Sequence, residues 1–159
     1  MTTDLMNDKQ PDVLDVLQRE HRTLLHLFDK LALADARRRR SAEKKLASAA
    51  CKALTIHSKL EWDVFYPALR SVHDIEDVLD ASRAEHRMLD ELVIELSHSS
   101  PREAGYRDKV AALKTYIAHH FREEEEQLFP RVRSNGLDLQ ALARRLVERK
   151  AELDADGES

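Results

Sequence analysis

The sequence predicts an all-α protein: an up-down-up-down four-helix bundle with a short extra C-terminal helix. Three Gly and four Pro among 159 residues leave too few turns for a β-sandwich or a β-barrel. Charged residues make up 35% of the chain and aromatic residues 5%, which is typical of a mostly helical protein. Between the breaks, apolar residues recur at alternating steps of three and four, the pattern of helices packed in a bundle.

Breaks at Pro, Gly and Ser divide the chain into five predicted helices. Pro11 and Asp12 start the first helix, and Ser41 is the candidate cap of the second. Pro67 and Pro130 stand near the ends of the second and fourth helices, where a proline terminates or kinks a helix. The predicted helices cover about residues 12–34, 42–69, 75–98, 106–131 and 139–153.

Length, charge and composition indicate the domain organisation and exclude some classes of protein. We expect one domain over residues 11–153, between flexible tails of residues 1–10 and 154–159. The net charge of −4 does not indicate a basic surface that would bind a nucleic acid. No apolar run is long enough for a membrane span or a secretory signal. The single cysteine, Cys51, fits a reducing cytoplasm. We expect a monomer or homodimer there.

The apolar stripe of the four main helices is interrupted by six polar residues. A His stands on the stripe of each helix, and a Glu follows four residues later in the second and fourth: His21, His57, Glu61, His86, His120 and Glu124. The stripe is expected to continue through Ala68 in the second helix and Gln127 in the fourth. Because a buried, unpaired carboxylate is very costly, something must compensate these charges.

The four histidines are predicted to lie at one level of the bundle. Short connections imply antiparallel neighbours, and each residue adds about 1.5 Å to a helix. His21 then lies about 20 Å before the end of its helix, and His57 about 23 Å after the start of the next. The same estimate brings His86 and His120 to a matching depth.

An internal duplication relates the two halves of the chain. Residues 20–22 (Glu-His-Arg) return at residues 85–87, an offset of 65. The His-x-x-x-Glu pair with its later Pro, at positions 57, 61 and 67, returns 63 residues later. Two equivalent halves indicate a site with two equivalent parts, such as a pair of metal ions.

His and Glu four residues apart project from one helix face, with Cβ atoms about 6 Å apart, so the pair can bind one centre. The natural arrangement has Glu61 and Glu124 bridging two ions. His21 and His57 would then hold one ion, and His86 with His120 the other. Imidazole and carboxylate without thiolate suit iron, manganese or zinc. Open coordination positions would accept O2 or peroxide.

The chain resembles the hemerythrin-like, HHE cation-binding family over about residues 12–131. The resemblance lies in the motifs REH (19–21), HSKLEWDVFYP (57–67), AEH (84–86) and HHFREEEEQLFP (119–130). It implies a four-helix bundle around a non-haem di-iron centre, with the six residues above as ligands. Oxygen carriers of the family have a second His four residues after the third-helix His, where this chain has Asp90. That departure argues against reversible O2 carriage by the usual five-His site.

Asp90 has three open roles: a seventh ligand, an acceptor of a hydrogen bond beside the ligands, or a neighbour of bound water. The leading functional hypothesis is a di-iron protein that binds O2, hydrogen peroxide or nitric oxide, with peroxide-decomposing activity. The alternatives are non-enzymatic binding of iron or O2 for sensing, storage or delivery, and a purely structural bundle. Whether the chain is an enzyme stays open.

The remaining polar and aromatic residues are expected to be structural. Four histidines off the stripe should face solvent: His26, His73, His98 and His119. So should the acidic and basic runs, Glu123, Glu125, Glu126 and Arg37 to Arg40, although Glu123 is a candidate neighbour of the ligands. Cys51 and five aromatic residues should pack in the core: Trp62, Phe65, Tyr66, Phe121 and Phe129. Tyr66 or Tyr116 is also a candidate to approach the metals.

Overall fold

The structure, a computed structural model, describes residues 10–36 and 40–157, and within them it contains helices and no strand. The prediction of an all-α protein is confirmed. The four main helices are α1 (Val13–Ala36), α2 (Arg40–Leu60), α3 (Glu76–Ser97) and α4 (Tyr106–Glu123), and the C-terminal helix is α5 (Leu139–Asp156).

Two π-helical turns extend α2 and α4. The first spans Glu61–Phe65 and the second Glu124–Leu128, so each begins at one of the two glutamates of the stripe. Short α-helices follow at Tyr66–Ala68 and Phe129–Arg133, and a 3₁₀ turn at Leu69–Ser71 ends the first of these extensions. Each short helix carries its proline near its start, where the missing N–H needs no partner.

The π turns move the apolar stripe. Each adds a residue to one turn of helix, so the residues after it rotate relative to a regular α-helix. Gln127 is exposed and Leu128 is buried instead; Ala68 is only half-buried, while Leu69 is buried. The predicted continuation of the stripe is therefore wrong at Gln127, whereas Ala68 packs against an apolar cluster but is less buried than Leu69.

The helix starts show which capping signals were correct. Asp15 N donates to Asp12 Oδ1 at 2.9 Å, and Asp12 N donates to Asp15 Oδ2 at 3.1 Å, a reciprocal cap at the predicted start of α1. The cap predicted at Ser41 is wrong, because α2 begins at Arg40 and Ser41 lies in its first turn. At α5, Asp138 Oδ1 accepts a hydrogen bond from Ala141 N at 3.0 Å. That helix runs to Asp156, past its predicted end at residue 153.

The main helices form a bundle. α1 packs on α2, α2 on α3, α3 on α4 and α4 on α1, while α5 lies against α1 and α2. The chain turns between α3 and α4 at Gly105, whose φ of 85° suits glycine because it has no Cβ. Among the described helices, none has both the length and the apolar character to cross a membrane.

The core has two apolar clusters, one towards each end of the bundle. One cluster contains Leu17 and Leu60, and the other contains Leu24 and Leu54. His21 lies between Leu17 and Leu24 in α1, and His57 between Leu54 and Leu60 in α2. The six polar residues of the stripe therefore lie in one layer of the bundle, with apolar side chains packed above and below it.

Candidate metal centre

The bundle brings the six polar residues of the stripe together in this layer. One His comes from each of the four main helices, and the two carboxylates come from the first residues of the π turns. Each of the six side chains is at most 1% exposed: His21, His57, Glu61, His86, His120 and Glu124.

These residues form two groups of four that share both carboxylates. One group contains His21, His57, Glu61 and Glu124, and the other contains Glu61, His86, His120 and Glu124. Within each group the nitrogen and oxygen atoms lie within 4.8 Å of one another. Each group offers two imidazole nitrogens and two carboxylate oxygens, a donor set that suits iron, manganese or zinc.

The atoms facing each other at the centre come close in a geometry that does not meet that of a hydrogen bond. His57 Nε2 lies 2.5 Å from Glu61 Oε1, and His120 Nε2 lies 2.9 Å from Glu124 Oε1. Among the described residues, Nε2 of all four histidines, both oxygens of Glu61 and Glu124 Oε1 are buried without a hydrogen-bond partner.

Such unpaired buried groups are rare, because each costs about 1–3 kcal/mol, and more when charged. Cations shared between these atoms would satisfy them together. The residues present therefore fit a metal centre.

Two further carboxylates orient the histidines of α2 and α4. His57 Nδ1 lies 2.9 Å from Glu20 Oε2, and His120 Nδ1 lies 3.1 Å from Glu85 Oε2. Carboxylates commonly hold metal-bound histidines in this way, fixing the ring and its tautomer. Lys150 of α5 donates to Glu20 Oε1 at 2.7 Å. Sequence reasoning missed this role of Glu20 and Glu85, although the duplication had singled out both.

Asp90 lies outside both groups and accepts a hydrogen bond beside them. Its Oδ1 accepts from Ser58 Oγ at 3.0 Å, and the same Ser58 oxygen lies 2.9 Å from His86 Nδ1. Of the three roles open to Asp90, this contact matches the acceptor role. Ser58 was not singled out from the sequence, where an isolated serine beside a histidine carries no signal.

Aromatic rings enclose the layer. Phe121 stacks on His21, with ring centroids 3.9 Å apart and planes 7° apart. Tyr66 is fully buried and donates its hydroxyl to Glu124 Oε2 at 3.3 Å, so it is the tyrosine that approaches the centre. Tyr116 instead lines a surface groove of α4 with Lys114.

Comparison with known proteins identifies the family. The family model for the hemerythrin HHE cation binding domain matches residues 12–132, and matches again over residues 77–156. The first match covers most of the chain. The chain belongs to the hemerythrin HHE cation-binding family.

Relatives of this HHE domain come from bacteria. A protein named DNA nickase from Nostoc sp. strain PCC 7120 is 28% identical over 133 residues, which cover 81% of this chain and 36% of that protein. The chain thus spans about a third of the nickase. Uncharacterized protein Rv2633c of Mycobacterium tuberculosis is 29% identical over 117 residues, covering 73% of this chain and 69% of that one.

A solved structure has the same fold. It is the HHE cation binding domain-containing protein from Mycobacterium kansasii, a homologue of Rv2633c. The TM-score is 0.79 at 24% identity, with 92% of this chain and 90% of that one covered.

Protons are unevenly distributed over the HHE centre in the absence of ions. Burial lowers the pKa of His57, but the carboxylates of Glu61 and Glu20 outweigh burial and raise that pKa to about 10. Burial raises the pKa of Glu61, but His57 and His86 hold it well below its ordinary value. Burial and the Glu61 carboxylate raise the pKa of Glu124 well above its ordinary value. Burial lowers the pKa of His86. The His57 imidazole is therefore doubly protonated at neutral pH.

The other candidates of this HHE domain lie away from the centre, with one exception. The four off-stripe histidines are exposed, as expected: His26, His73, His98 and His119. Arg40 is exposed, and the rest of its basic run lies outside the described residues. The exception is Glu125, expected to face solvent, which is half-buried with Oε1 3.8 Å from His21 Nδ1. The π turn, which sequence reasoning did not include, begins one residue before it.

Proposed function

We propose that this chain is a non-haem di-iron protein that binds O2 or a reactive species, hydrogen peroxide or nitric oxide, inside the helix bundle. The observation that carries the proposal is the set of buried, unpaired nitrogen and oxygen atoms in two groups that share Glu61 and Glu124. Membership of a cation-binding family supports it.

The proposed ligands follow the two groups. His21 and His57 would hold one ion and His86 and His120 the other, and Glu61 and Glu124 would be shared by both. Two carboxylates common to both groups are what a bridged pair requires. Iron is the proposed metal, with manganese or zinc as the alternatives allowed by the donor set.

Bound iron would supply exchange between ferrous and ferric states and open positions for a small ligand. The chain's own residues prepare the surroundings. Glu20 and Glu85 hold the rings of His57 and His120, so these imidazoles keep their orientation during a change of oxidation state. Phe121 and the two apolar clusters exclude bulk water, which strengthens electrostatic interactions within the layer.

Tyr66 holds a hydroxyl proton at the wall of the centre. Burial and the Glu124 carboxylate raise the pKa of Tyr66 well above its ordinary value, so the hydroxyl stays protonated. It donates to Glu124 Oε2 and keeps that carboxylate in place. The same hydroxyl is a proton donor beside Glu124.

Peroxide decomposition tests the enzymatic form of the proposal. Iron-loaded protein should consume hydrogen peroxide faster than the same concentration of free iron and faster than a His57→Ala variant. Equal rates in all three samples would reject catalysis. A reversible change in visible absorption with O2, without turnover, would instead support the alternative of iron or O2 binding for sensing, storage or delivery.

The organisation of the chain enters the same proposal. We take residues 11–153 to be one domain between tails of residues 1–10 and 154–159, with the four main helices running up-down-up-down. We place the protein in the cytoplasm as a monomer or homodimer, consistent with one buried free cysteine, Cys51. We propose no nucleic-acid partner, because the net charge is −4 and the chain matches only 36% of the DNA nickase.

A further inference from the structure

The two halves of the centre differ in the contacts that lie behind the histidines. In both halves the His of α2 or α4 has a carboxylate at Nδ1, Glu20 for His57 and Glu85 for His120. These two contacts are nearly equal, at 2.9 and 3.1 Å. Lys150 donates to Glu20 Oε1 in one half, and the halves differ further in the contacts of the histidines of α1 and α3.

The histidines of α1 and α3 have unlike partners at Nδ1. His86 Nδ1 lies 2.9 Å from Ser58 Oγ, and Ser58 Oγ donates to Asp90 Oδ1 at 3.0 Å. His21 Nδ1 is buried and has no hydrogen-bond partner among the described residues. Glu125 Oε1, at 3.8 Å, is too far from it for a hydrogen bond.

The duplication explains this difference residue by residue. An offset of 63 places Phe121 where the other half has Ser58, and an offset of 65 places Leu25 opposite Asp90. Phe121 stacks face to face on His21, so the α1 histidine has an apolar ring where the α3 histidine has a hydroxyl. His21 therefore has neither the hydroxyl nor the carboxylate that Ser58 and Asp90 supply beside His86.

The difference between the Nδ1 partners of His21 and His86 affects how strongly each histidine can bind a metal ion. A His that binds an ion through Nε2 carries its proton on Nδ1, and an acceptor for that proton raises the ring's strength as a ligand. For His86 the acceptor is Ser58 Oγ, and the Ser58 proton goes to the Asp90 carboxylate. The Nδ1–H of His21 would stay buried and unpaired, which costs about 1–3 kcal/mol.

We propose that the two metal positions differ in affinity: the position of His86 and His120 fills first, and Ser58 with Asp90 sets the difference. This inference rests on the proposed two-ion centre. Partners of this kind typically change metal affinity by about 10- to 100-fold. Ser58 and Asp90 act through His86 and are positioning residues.

Titration of metal-free protein with ferrous ions, without oxygen, tests the inference. The native protein should show two binding steps separated by about 10- to 100-fold. Ser58→Ala should weaken the tighter step about tenfold or more and leave the weaker step unchanged, and Asp90→Asn should act in the same direction. Thr55→Ala is the matched control, because its hydroxyl also lies on α2 but its hydrogen bond among the described residues is to Cys51 O, at 2.8 Å. It should change neither step.

A second measurement identifies the position that fills first. With one equivalent of Zn²⁺, NMR signals of the imidazoles of His86 and His120 should change before those of His21 and His57. Two steps of equal affinity, or native steps in Ser58→Ala protein that is folded by circular dichroism, would overturn the inference and leave the metal centre standing. No binding of any ion would overturn the proposed function itself.

Discussion

Metal binding should release protons at pH 8, about one of them per chain from His57. In the ion-free centre, burial lowers the pKa of His57, but the Glu61 and Glu20 carboxylates raise it to about 10, so its imidazole is doubly protonated at pH 8. Burial raises the pKa of Glu124 well above its ordinary value, which favours its protonated form. An ion bound at His57 Nε2 must displace the second proton of that ring, and the raised pKa of Glu124 acts in the same direction.

The sign and size of the pH effect follow from this count. For each proton displaced, the metal-binding constant falls about tenfold when the pH falls by one unit, which corresponds to about 1.4 kcal/mol. The product of the two binding constants should therefore fall at least about tenfold per unit of falling pH near pH 8. Above pH 10 the His57 contribution should disappear, because the ring has already lost its second proton.

Calorimetric titration with Mn²⁺ at pH 8, in Tris and again in HEPES, measures the protons released. The two buffers take up protons with different enthalpies, so the difference in observed heat gives the number of protons. Glu20→Gln is the control, because it removes one of the two carboxylates that raise the pKa of His57 and should reduce the release. Equal heats in both buffers, or an unchanged release in Glu20→Gln, would refute this reasoning.

Three further predictions test the centre and the core. Ions at 100 times their dissociation constant should add about 2.7 kcal/mol at each position and raise Tm by roughly 10–20 °C; an unchanged Tm with iron, manganese and zinc would contradict the centre. Without metal, denaturant titrations should show stability declining from pH 7 towards pH 10, because the folded-state pKa of His57, about 10, exceeds its unfolded value of about 6.5, and stability that rises over this range would refute the assignment. Leu113→Ala should lower the free energy of unfolding by about 2–5 kcal/mol, since Leu113 is 0% exposed; a loss below about 1 kcal/mol would show that the core collapses around the gap.

Helix periodicity could predict the layer in which the six residues meet. Steps of three and four keep one face of a helix towards the core, so His21 and His57 had to lie on the buried stripe. Equal depths below the short turns then brought the histidines to one level. Both steps assume only the regular rise and twist of an α-helix. Helices α1 to α4 keep this regular geometry, in α2 and α4 as far as Glu61 and Glu124.

The regular period fails where the π turns begin. Extrapolation from Glu61 to Ala68 and from Glu124 to Gln127 assumed 3.6 residues per turn, but each π turn adds a residue. Pro67 and Pro130 marked a break in each helix without showing its form. The buried Tyr66 hydroxyl, directed at Glu124, depends on this local change of twist.

The residues behind the ligands were harder to predict than the ligands. Glu20 and Glu85 lie on partly polar helix faces, where a glutamate is ordinary, and only the duplication distinguishes them. Ser58 depends on the packing of α2 against α3, which no local pattern encodes. Contacts between helices are therefore the part of the site that needed the structure.

Metal analysis of purified, iron-loaded protein tests the central claim most directly. The native chain should retain two iron ions after removal of free metal, His57→Ala should retain fewer, and His98→Ala, which changes an exposed histidine outside both groups, should retain two. Native protein without stoichiometric metal, or equal metal content in the native and His57→Ala proteins, would contradict a two-ion centre built on these residues.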